Sequence, residues 1–196
     1  MSDACESSDV ARGLRVVAGS ARGVPLVVPD GARPTTGRVR EAVFSALSDV
    51  AGAAVLDLFA GSGAFACEAL SRGAARALLV DADRGAVDAC RRNLEATDLA
   101  DRGRVHAGLV SALLDREPPS EAPFDLVSLD PPYETSADDV AGAVGALGES
   151  GWLRPGARVV VERATRSGAV VVPEGWEVAW ERRYGDTLVT ILRQPK

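Results

Sequence analysis

Four consecutive residues in the middle of the chain have the types needed to act on an amino group. They are Asp130, Pro131, Pro132 and Tyr133. A carboxylate and a backbone carbonyl in one turn can both accept N–H bonds from an exocyclic amino group on a nucleic-acid base, and so aim its delocalised lone pair. The prolines fix φ and leave no N–H to compete, and the tyrosine offers a flat face on which an extruded base can stack. On these residues alone, an ordinary Pro-Pro turn with a buried tyrosine is the alternative.

A second segment, residues 55–63, has the composition of a ligand-binding loop. Its sequence is VLDLFAGSG, and a predicted helix follows it directly. Glycines let the backbone turn tightly and approach a ligand, and a helix N-terminus presents N–H groups with a partial positive charge. The spacing differs from the GxGxxG pattern of dinucleotide enzymes. The helix end could instead face the carboxylate of a methionine moiety, while Asp57 is placed to attract its ammonium group.

A further carboxylate, Asp81, ends the next predicted strand. An acidic residue about 20 positions after a glycine loop can accept both hydroxyls of a ribose. Asp83 competes for this role, but Asp81 follows the strand directly; a purely structural turn is the alternative. Together the loop and the carboxylates predict S-adenosyl-L-methionine as the cofactor. The residues predicted to bind it here are Asp57, Phe59, Ala60, Gly61, Ser62, Gly63, Asp81 and Ala82.

These segments need a sheet to hold them, and the chain alternates between strand and helix patterns from about residue 54. The predicted strands are 54–59, 76–81, 103–106, 124–129 and 157–162, and the predicted helices are 63–72, 84–97, 109–116 and 136–149. Alternation of this kind predicts an α/β fold with a parallel sheet, in which ligands bind beyond the carboxyl ends of the strands. The turn between 176–183 and 187–193 is too short for a helix, so this pair predicts an antiparallel hairpin. The outline is that of a Rossmann-like class I methyltransferase, with a seven-stranded, mostly parallel sheet and one antiparallel C-terminal strand.

The first 50 residues follow a different pattern. The runs 14–18 and 24–28 predict a β-hairpin with Arg22 near its tip. Thr36 is a suitable N-cap for a helix that ends at about Ser48. We therefore predict a disordered tail at 1–10, an N-terminal extension of hairpin and helix at 11–50, and a methyltransferase domain at 51–196.

Charge is distributed unevenly along the chain. The net charge is −6, yet residues 11–45 carry Arg12, Arg15, Arg22, Arg33, Arg38 and Arg40 against Asp30 and Glu41. A basic segment on an acidic body favours nucleic-acid contact confined to one patch; solvated surface charge is the alternative. The residues predicted to contact the nucleic acid, which the family resemblance described below implies is RNA, are Arg15, Arg22, Arg33, Thr35, Arg38 and Arg40.

Composition excludes several classes of protein. A chain of 196 residues with 46% hydrophobic residues suits one compact domain. It has no apolar run long enough to span a membrane, and its polar start lacks a secretory signal, so we expect a cytoplasmic monomer without membrane contact. Cys5, Cys67 and Cys90 form no CxxC pair and His106 is the single histidine, which argues against disulfides and a metal site. No cysteine adjoins the Asp130 turn, which disfavours cytosine C5 methylation through a thiolate.

Three segments together resemble the RsmD family, bacterial methyltransferases of guanine N2 in 16S ribosomal RNA. They are RVVAGSARGVPLVVP with RPTTGRVREAVF, then VLDLFAGSGAFACEALSRGA, then FDLVSLDPPY. The first is the specific one, while the others occur in many amino-group methyltransferases. The resemblance runs from about Arg15 to the C-terminus.

The resemblance implies a class I fold whose N-terminal hairpin helps to hold 16S rRNA or the small ribosomal subunit. It implies S-adenosyl-L-methionine at Asp57, Gly61, Gly63 and Asp81, and activation of the target by Asp130 to Tyr133. Where the family often has Asp or Asn after the third strand, this chain has Gly108. Backbone groups of Gly108 and Leu109 are therefore expected to face the adenine ring.

Other functions remain open on the sequence. The same tetrapeptide could serve adenine N6 or cytosine N4 of DNA, although the chain leaves little room for a target-recognition region. A protein side-chain amide is disfavoured by the basic N-terminal segment. A nicotinamide oxidoreductase would need GxGxxG, and a silent RNA-binding module would not need Asp57, Asp81 and Asp130.

Overall fold

The computed structural model describes residues 13–30, 37–132, 134–149 and 151–195. The strands are β1 (Ala54–Leu58), β2 (Arg76–Asp81), β3 (Gly103–Ala107), β4 (Phe124–Leu129), β5 (Leu153–Ala164), β6 (Glu177–Tyr184) and β7 (Thr187–Arg193). The helices are α1 (Gly37–Leu47), α2 (Ala64–Ser71), α3 (Arg84–Ala96), α4 (Val110–Leu114) and α5 (Ala137–Gly148). A short 3₁₀ turn, Thr165–Ser167, follows β5. No helix in these ranges is long and apolar enough to cross a membrane.

The strands of the described chain form one sheet in the order β3-β2-β1-β4-β5-β7-β6. Neighbours from β3 to β5 are parallel, while β7 is antiparallel to both β5 and β6. The predicted α/β class and the single antiparallel strand near the C-terminus are therefore confirmed. The strands that directly follow β1 in sequence, β2 and β3, lie on one side of it, and the strands from β4 to β7 lie on the other side. The crevice at this switch point, beyond the carboxyl ends of β1 and β4, is where such sheets bind ligands.

The central strands of the sheet are buried on both faces, as expected where helices cover a parallel sheet on each side. Every residue of β1 is buried, which explains why its sequence is almost continuously apolar. One face packs against α1, α2 and α3 through side chains such as Phe44 and Leu70. The other packs against α4 and α5, and there the rings of Phe124 and Trp152 stack with centroids 6.4 Å apart.

The observed helices and strands differ modestly from their predicted bounds. The third helix of the alternating region ends at Leu114 rather than residue 116, and β5 begins at Leu153 rather than at 157. The early start of β5 includes Pro155 and Gly156, two residues that disfavour strands. The pairing register of β5 with β4 shifts between Phe124 and Leu126, which accommodates this extension.

The predicted N-terminal hairpin forms as a short antiparallel pairing, in which the N–H of Val16 donates to the carbonyl oxygen of Val24 (3.1 Å) and that of Leu26 to Leu14 (3.0 Å). Residues 14–28 form two extended segments that share one antiparallel bridge, between Arg15 and Pro25, and no regular strand. The pairing does not extend into regular strands, and other backbone donors of this segment bond to side chains of α2 instead. The carboxylate of Glu68 accepts the N–H groups of Val17 (2.7 Å) and Ala18 (3.0 Å), and Ser71 Oγ accepts that of Ala21 (2.9 Å).

The N-terminal segment and α1 share a core with the sheet. Leu14, Val16 and Leu26 lie in the same cluster of buried side chains as Phe44 of α1 and Leu70 of α2. This packing anchors the region predicted to contact RNA against the helix that follows the glycine loop. The predicted tail at residues 1–10 and the proposed N-cap Thr36 lie outside the described ranges.

Candidate active site at the carboxyl edge of the sheet

Adjacent strands bring three aspartates to one edge of the sheet. Asp57 on β1 pairs with Leu79 on β2 and with Ser128 on β4. Asp81 follows Leu79 by two residues and Asp130 follows Ser128 by two residues. Because these strands are parallel, Asp81 and Asp130 both lie beyond Asp57 at the carboxyl edge.

The glycine loop reaches α2 through left-handed backbone conformations. Phe59, Gly61 and Gly63 have φ values of 58°, 55° and 69°. A Cβ on Gly63 would lie 2.7 Å from Leu79 Cδ2 and 3.1 Å from Cys90 Sγ, whereas a Cβ on Gly61 would meet only the carbonyl oxygen of Phe59, at 4.0 Å. Gly63 is therefore required by packing, and Gly61 leaves open space above the loop.

The side chain of Asp57 bonds both to α2, which follows the loop, and to Ser128 of the neighbouring strand β4. Its side chain is buried, and its Oδ2 accepts the N–H of Ala66 in the first turn of α2 (3.1 Å). Burial raises the pKa of Asp57 to about 7, and the nearby carboxylates Asp130 and Asp81 raise it too, while hydrogen bonds from Ala66 and Ser128 lower it. A cationic ligand at this edge would offset the repulsion among the carboxylates and favour the charged form.

Asp81 fixes the conformation of the loop and is half-buried. Its Oδ2 accepts the N–H of Gly61 (2.8 Å) and its Oδ1 accepts that of Asp83 (2.9 Å). Asp83 itself accepts the N–H of Ala86 (2.8 Å) and so caps α3. Asp83 thus has a structural role, which agrees with the preference for Asp81 as the ribose-binding candidate.

The segment after β3 adds an apolar surface beside Asp81. The N–H of Gly108 donates to the carbonyl oxygen of Asp81 (2.9 Å). Leu109 precedes the first residue of α4 and is 62% exposed, which is unusual for a large apolar side chain in this chain. An exposed leucine beside a candidate ribose site is suited to cover the flat face of an adenine ring. Ala82, also predicted to contact the cofactor, is exposed at the same edge.

The predicted catalytic turn leaves β4 at the switch point. Asp130 is exposed, and its N–H donates to the carbonyl oxygen of Leu58 at the end of β1 (3.5 Å). Pro131 is half-buried and Pro132 is exposed. Tyr133 lies outside the described residues. The turn therefore presents a carboxylate to solvent directly beside the glycine loop.

Sequence reasoning missed Asn93, Cys90 and Ser128. Asn93 is fully buried, and its Nδ2 donates to the carbonyl oxygens of Ser62 (2.7 Å) and Val27 (2.8 Å) while its Oδ1 accepts the N–H of Val27 (2.7 Å). The Cys90 thiol donates to the carbonyl oxygen of Gly61 (3.4 Å). An amide on the apolar face of α3 was the one available signal for Asn93, since buried amides are rare without partners.

The cysteines that the structure describes are free thiols. Cys67 and Cys90 are both buried, as the sequence predicted, and Cys5 lies outside the described ranges. Burial raises the pKa of Cys67 to about 12 and raises that of Cys90 as well. Both therefore behave as small apolar side chains rather than as nucleophiles.

Three of the arginines predicted to contact RNA are exposed in the structure. Arg15, Arg22 and Arg38 are exposed, and Arg15 Nη1 donates to the carbonyl oxygen of Gly23 (3.0 Å). Arg33 and Thr35 lie outside the described residues. Because they are exposed, Arg15, Arg22 and Arg38 can contact a phosphate group.

The prediction that Arg40 contacts RNA is wrong in this structure. Arg40 is only 2% exposed, and its Nε lies 3.5 Å from Oε2 of the buried Glu68. Its Nη2 also donates to the carbonyl oxygen of Arg15. Burial lowers the pKa of Arg40, and the charge of Glu68 raises it. Arg40 falls on the apolar stripe of α1, one turn before Phe44, and it serves to join α1, α2 and the N-terminal segment.

Comparisons with known proteins agree with this geometry. The family model described as Conserved hypothetical protein 95 matches residues 14–193. Ribosomal RNA small subunit methyltransferase D of Escherichia coli (strain K12) is 36% identical over 184 residues, which cover 92% of this chain and 90% of that protein. A solved structure of the putative methyltransferase yhhF from Escherichia coli has a TM-score of 0.83 at 34% identity and covers 93% of this chain and 98% of that chain.

A more distant solved structure shares the fold. It is an RNA methyltransferase from Salinibacter ruber in complex with S-adenosyl-L-homocysteine, with a TM-score of 0.63 at 22% identity, covering 84% of this chain and 95% of that chain. The family model and the Escherichia coli relative both span almost the whole described chain, including the N-terminal segment that distinguishes the family. The chain belongs to the RsmD family of methyltransferases.

Proposed function

We propose that this protein is a methyltransferase that transfers a methyl group from S-adenosyl-L-methionine to the exocyclic N2 of a guanine in 16S rRNA of the small ribosomal subunit. The observation that carries the proposal is the convergence of Asp57, Asp81 and Asp130 at the carboxyl ends of adjacent central strands. The relatives named as ribosomal RNA small subunit methyltransferases support the choice of substrate. We further propose that the protein acts as a monomer in the cytoplasm.

The residues of the edge fit S-adenosyl-L-methionine. The cofactor supplies a methyl group on a positively charged sulfonium, and it carries an ammonium group as well. Asp57 attracts the ammonium group, and Asp81 accepts hydrogen bonds from the ribose hydroxyls. The open space above Gly61 admits the part of the cofactor that joins these two groups. Leu109 covers the adenine ring, and its exposed side chain gains burial when the cofactor binds.

Asp130 prepares the target nitrogen. Its carboxylate accepts one N–H of the base amino group, and the carbonyl oxygen of Pro131 accepts the other. These two acceptors draw the nitrogen toward a tetrahedral geometry and point its lone pair at the cofactor. Pro131 and Pro132 present no N–H that would donate to the base. The nitrogen sheds its proton to solvent after the transfer, which the exposure of Asp130 allows.

The product of methylation decides between this function and its alternatives. Purified protein is incubated with labelled S-adenosyl-L-methionine and unmethylated small ribosomal subunits, with naked 16S rRNA and duplex DNA in parallel, and the labelled nucleoside is identified after digestion. N2-methylguanosine from subunits or rRNA supports the proposal. Label in DNA overturns the substrate, and absence of label with intact cofactor binding favours a protein substrate or a silent binding module.

An Asp130→Ala variant tests the role of the turn. It should lose turnover by at least about 100-fold, because the target nitrogen loses an acceptor present in the transition state, while cofactor affinity stays near that of the wild type. Asp138→Ala removes another exposed carboxylate, in the first turn of α5, and serves as the control. Equal activity of the two variants would contradict the assignment of Asp130.

A further inference from the structure

A groove lies between α1 and the edge strand β6, on the face of the sheet that α1 covers. We call it the α1–β6 groove. It encloses about 500 Å³ and is lined by Arg38, Glu41, Ala42, Ser45, Ala46, Trp180 and Arg182. The function proposed above assigns no role to any residue of β6.

Alternation along β6 directs aromatic and basic side chains to one face. Trp180 pairs with Ile191 and Arg182 with Val189, and these two β7 residues belong to the core on the α1 side. Tyr184 packs against the same core. Arg183, between Arg182 and Tyr184, points to the opposite face because successive side chains of a strand alternate.

These side chains form a cluster beside the groove. The guanidinium carbon of Arg182 lies 6.0 Å from the centroid of the Tyr184 ring. The rings of Trp180 and Tyr184 have centroids 6.5 Å apart. Trp180 is half-buried and Arg182 is exposed, so an indole face is held in place while a cation remains accessible to a ligand.

The groove is at the same level of the sheet as the catalytic turn. Leu129 pairs with Val161, Val161 with Thr190, and Thr190 with Glu181. Asp130 and Arg182 are the next residues on β4 and β6, two strands that run in the same direction. Three strand spacings of roughly 4.8 Å separate these two positions, so the backbone of Arg182 lies about 14 Å from that of Asp130 across the sheet.

The chemistry of the groove matches an unpaired nucleotide. Arg38 and Arg182 are exposed cations, whereas the whole chain has a net charge of −6. Glu41 is the one acidic residue in the lining, so the groove keeps a net positive charge. Arginines beside an aromatic ring are typical of sites that bind a phosphate and stack a base without reading its sequence.

We propose that the α1–β6 groove binds an unpaired nucleotide of the RNA substrate, next to the target base in space. Its base stacks on Trp180, and its phosphate is held by Arg182 and Arg38. This inference rests on the proposed function only in taking RNA as the substrate, and it adds β6 to the surface that holds the RNA.

Single substitutions on adjacent residues of β6 test the groove. Arg182→Ala and Arg183→Ala remove the same charge from opposite faces of one strand, so the second is the matched control. Naked 16S rRNA and assembled small subunits are the probes. We expect Arg182→Ala to weaken rRNA binding and raise KM for rRNA by about fivefold or more, and Arg183→Ala to change either by less than about twofold. KM for S-adenosyl-L-methionine should not change.

Substitution of Trp180 tests stacking separately from charge. Trp180→Leu keeps apolar contact with the core but loses the aromatic face, and should weaken rRNA binding by about tenfold, whereas Trp180→Phe should retain most of the affinity. Binding of rRNA to the wild type should also quench a tryptophan fluorescence component that Trp180→Phe lacks. Thermal unfolding of each variant establishes that it is folded.

The outcomes test RNA binding in the groove independently of the methylation reaction. Equal rRNA affinity for Arg182→Ala, Trp180→Leu and Arg183→Ala overturns the groove, even if N2-methylguanosine forms normally. Quenching with the expected loss of affinity supports the groove, even if no RNA is methylated. If the Arg182 and Trp180 variants lose affinity only for assembled subunits, the nucleotide assignment is overturned, and a ribosomal protein is the partner of this surface.

Discussion

At the scale of single residues, the fold favours the protonated form of Asp57, and a cationic cofactor would favour its charged form. Its carboxyl is buried and its pKa is raised to about 7, with burial as the largest cause. The unfolded chain titrates this group near its ordinary value of about 3.9. Between these two values the folded protein keeps a proton that the unfolded chain has lost. The stability that comes from the protonated group is therefore complete below about pH 4 and is lost as pH rises through about 7.

An Asp57→Asn variant should remove this dependence on pH. The amide is isosteric, and its oxygen can still accept the N–H of Ala66. Relative to the wild type without cofactor, the variant should gain about 2 to 3 kcal/mol in free energy of unfolding between about pH 5 and about pH 8. Urea unfolding at the two pH values measures the change. The same difference between variant and wild type at both values would contradict the raised pKa.

Two glycines of the cofactor loop should respond differently to the same substitution. Gly63→Ala adds a Cβ within 2.7 Å of the buried Leu79, on a left-handed backbone, and should cost about 2 to 4 kcal/mol of stability. Gly61→Ala has room in the protein and should cost only about 1 kcal/mol. Its methyl group occupies the space above the loop, however, so cofactor affinity should fall about tenfold or more.

Urea unfolding and calorimetric titration with S-adenosyl-L-methionine measure the two effects of each glycine variant. A Gly61→Ala variant that binds the cofactor as tightly as the wild type would show that the ligand does not approach this part of the loop. A Gly63→Ala variant as stable as Gly61→Ala would show that Leu79 can move aside.

At the scale of elements, Asn93 on α3 connects the N-terminal segment to the cofactor loop. One amide group bonds to the backbone of Val27 and to the carbonyl oxygen of Ser62. A second connection runs from the N-terminal segment to α2 through Glu68 and Ser71. Asn93 therefore supports the loop directly, at Ser62, whereas Glu68 and Ser71 hold the N-terminal segment against α2.

An Asn93→Ala variant should lose both stability and cofactor affinity. Three backbone groups that are buried or partly buried lose their partner, which should cost about 2 to 4 kcal/mol, and an unsupported Ser62 should raise the Kd for S-adenosyl-L-methionine severalfold. Gly19→Ala is the control, because its Cβ would lie 1.9 Å from the carbonyl oxygen of Ser71. It disturbs the same segment at α2 without touching Ser62, so it should lower the melting temperature and leave the Kd nearly unchanged. Equal Kd values for the two variants would contradict a positioning role for Asn93.

The elements also show what local sequence patterns can and cannot predict. The strand β1 was predicted to within one residue, because a continuous apolar run before a glycine loop has few alternatives. The N-terminal hairpin has no regular strands, and backbone donors beside its short pairing bond to Glu68 and Ser71, which lie about fifty positions further along the chain. Arg40 was assigned to RNA for the same reason, since nothing near it in sequence reveals a buried carboxylate partner. Local periodicity predicts elements, but the partners of buried polar groups depend on how the elements meet.

At the scale of the whole molecule, the charge distribution limits how RNA can bind. The chain has 22 basic and 28 acidic residues, so a polyanion is repelled from most of its surface. Exposed Arg22, Arg38 and Arg182 lie on the N-terminal segment, α1 and β6. The RNA should therefore touch the protein through a small number of phosphates, near these exposed arginines.

The salt dependence of RNA affinity should report this small contact. Each neutralised phosphate contributes about −0.7 to −0.9 to the slope of log K against log salt concentration, so about three or four contacts predict a slope near −2 to −3. Filter binding of naked 16S rRNA between about 50 and 300 mM salt measures the slope. Arg38→Ala should reduce its magnitude by about 1, whereas Arg116→Ala, an exposed arginine beyond the end of α4, should leave it unchanged. A slope near −8 would mean that the RNA also covers the acidic body, and the contact surface would have to extend well beyond the exposed arginines of the N-terminal segment, α1 and β6.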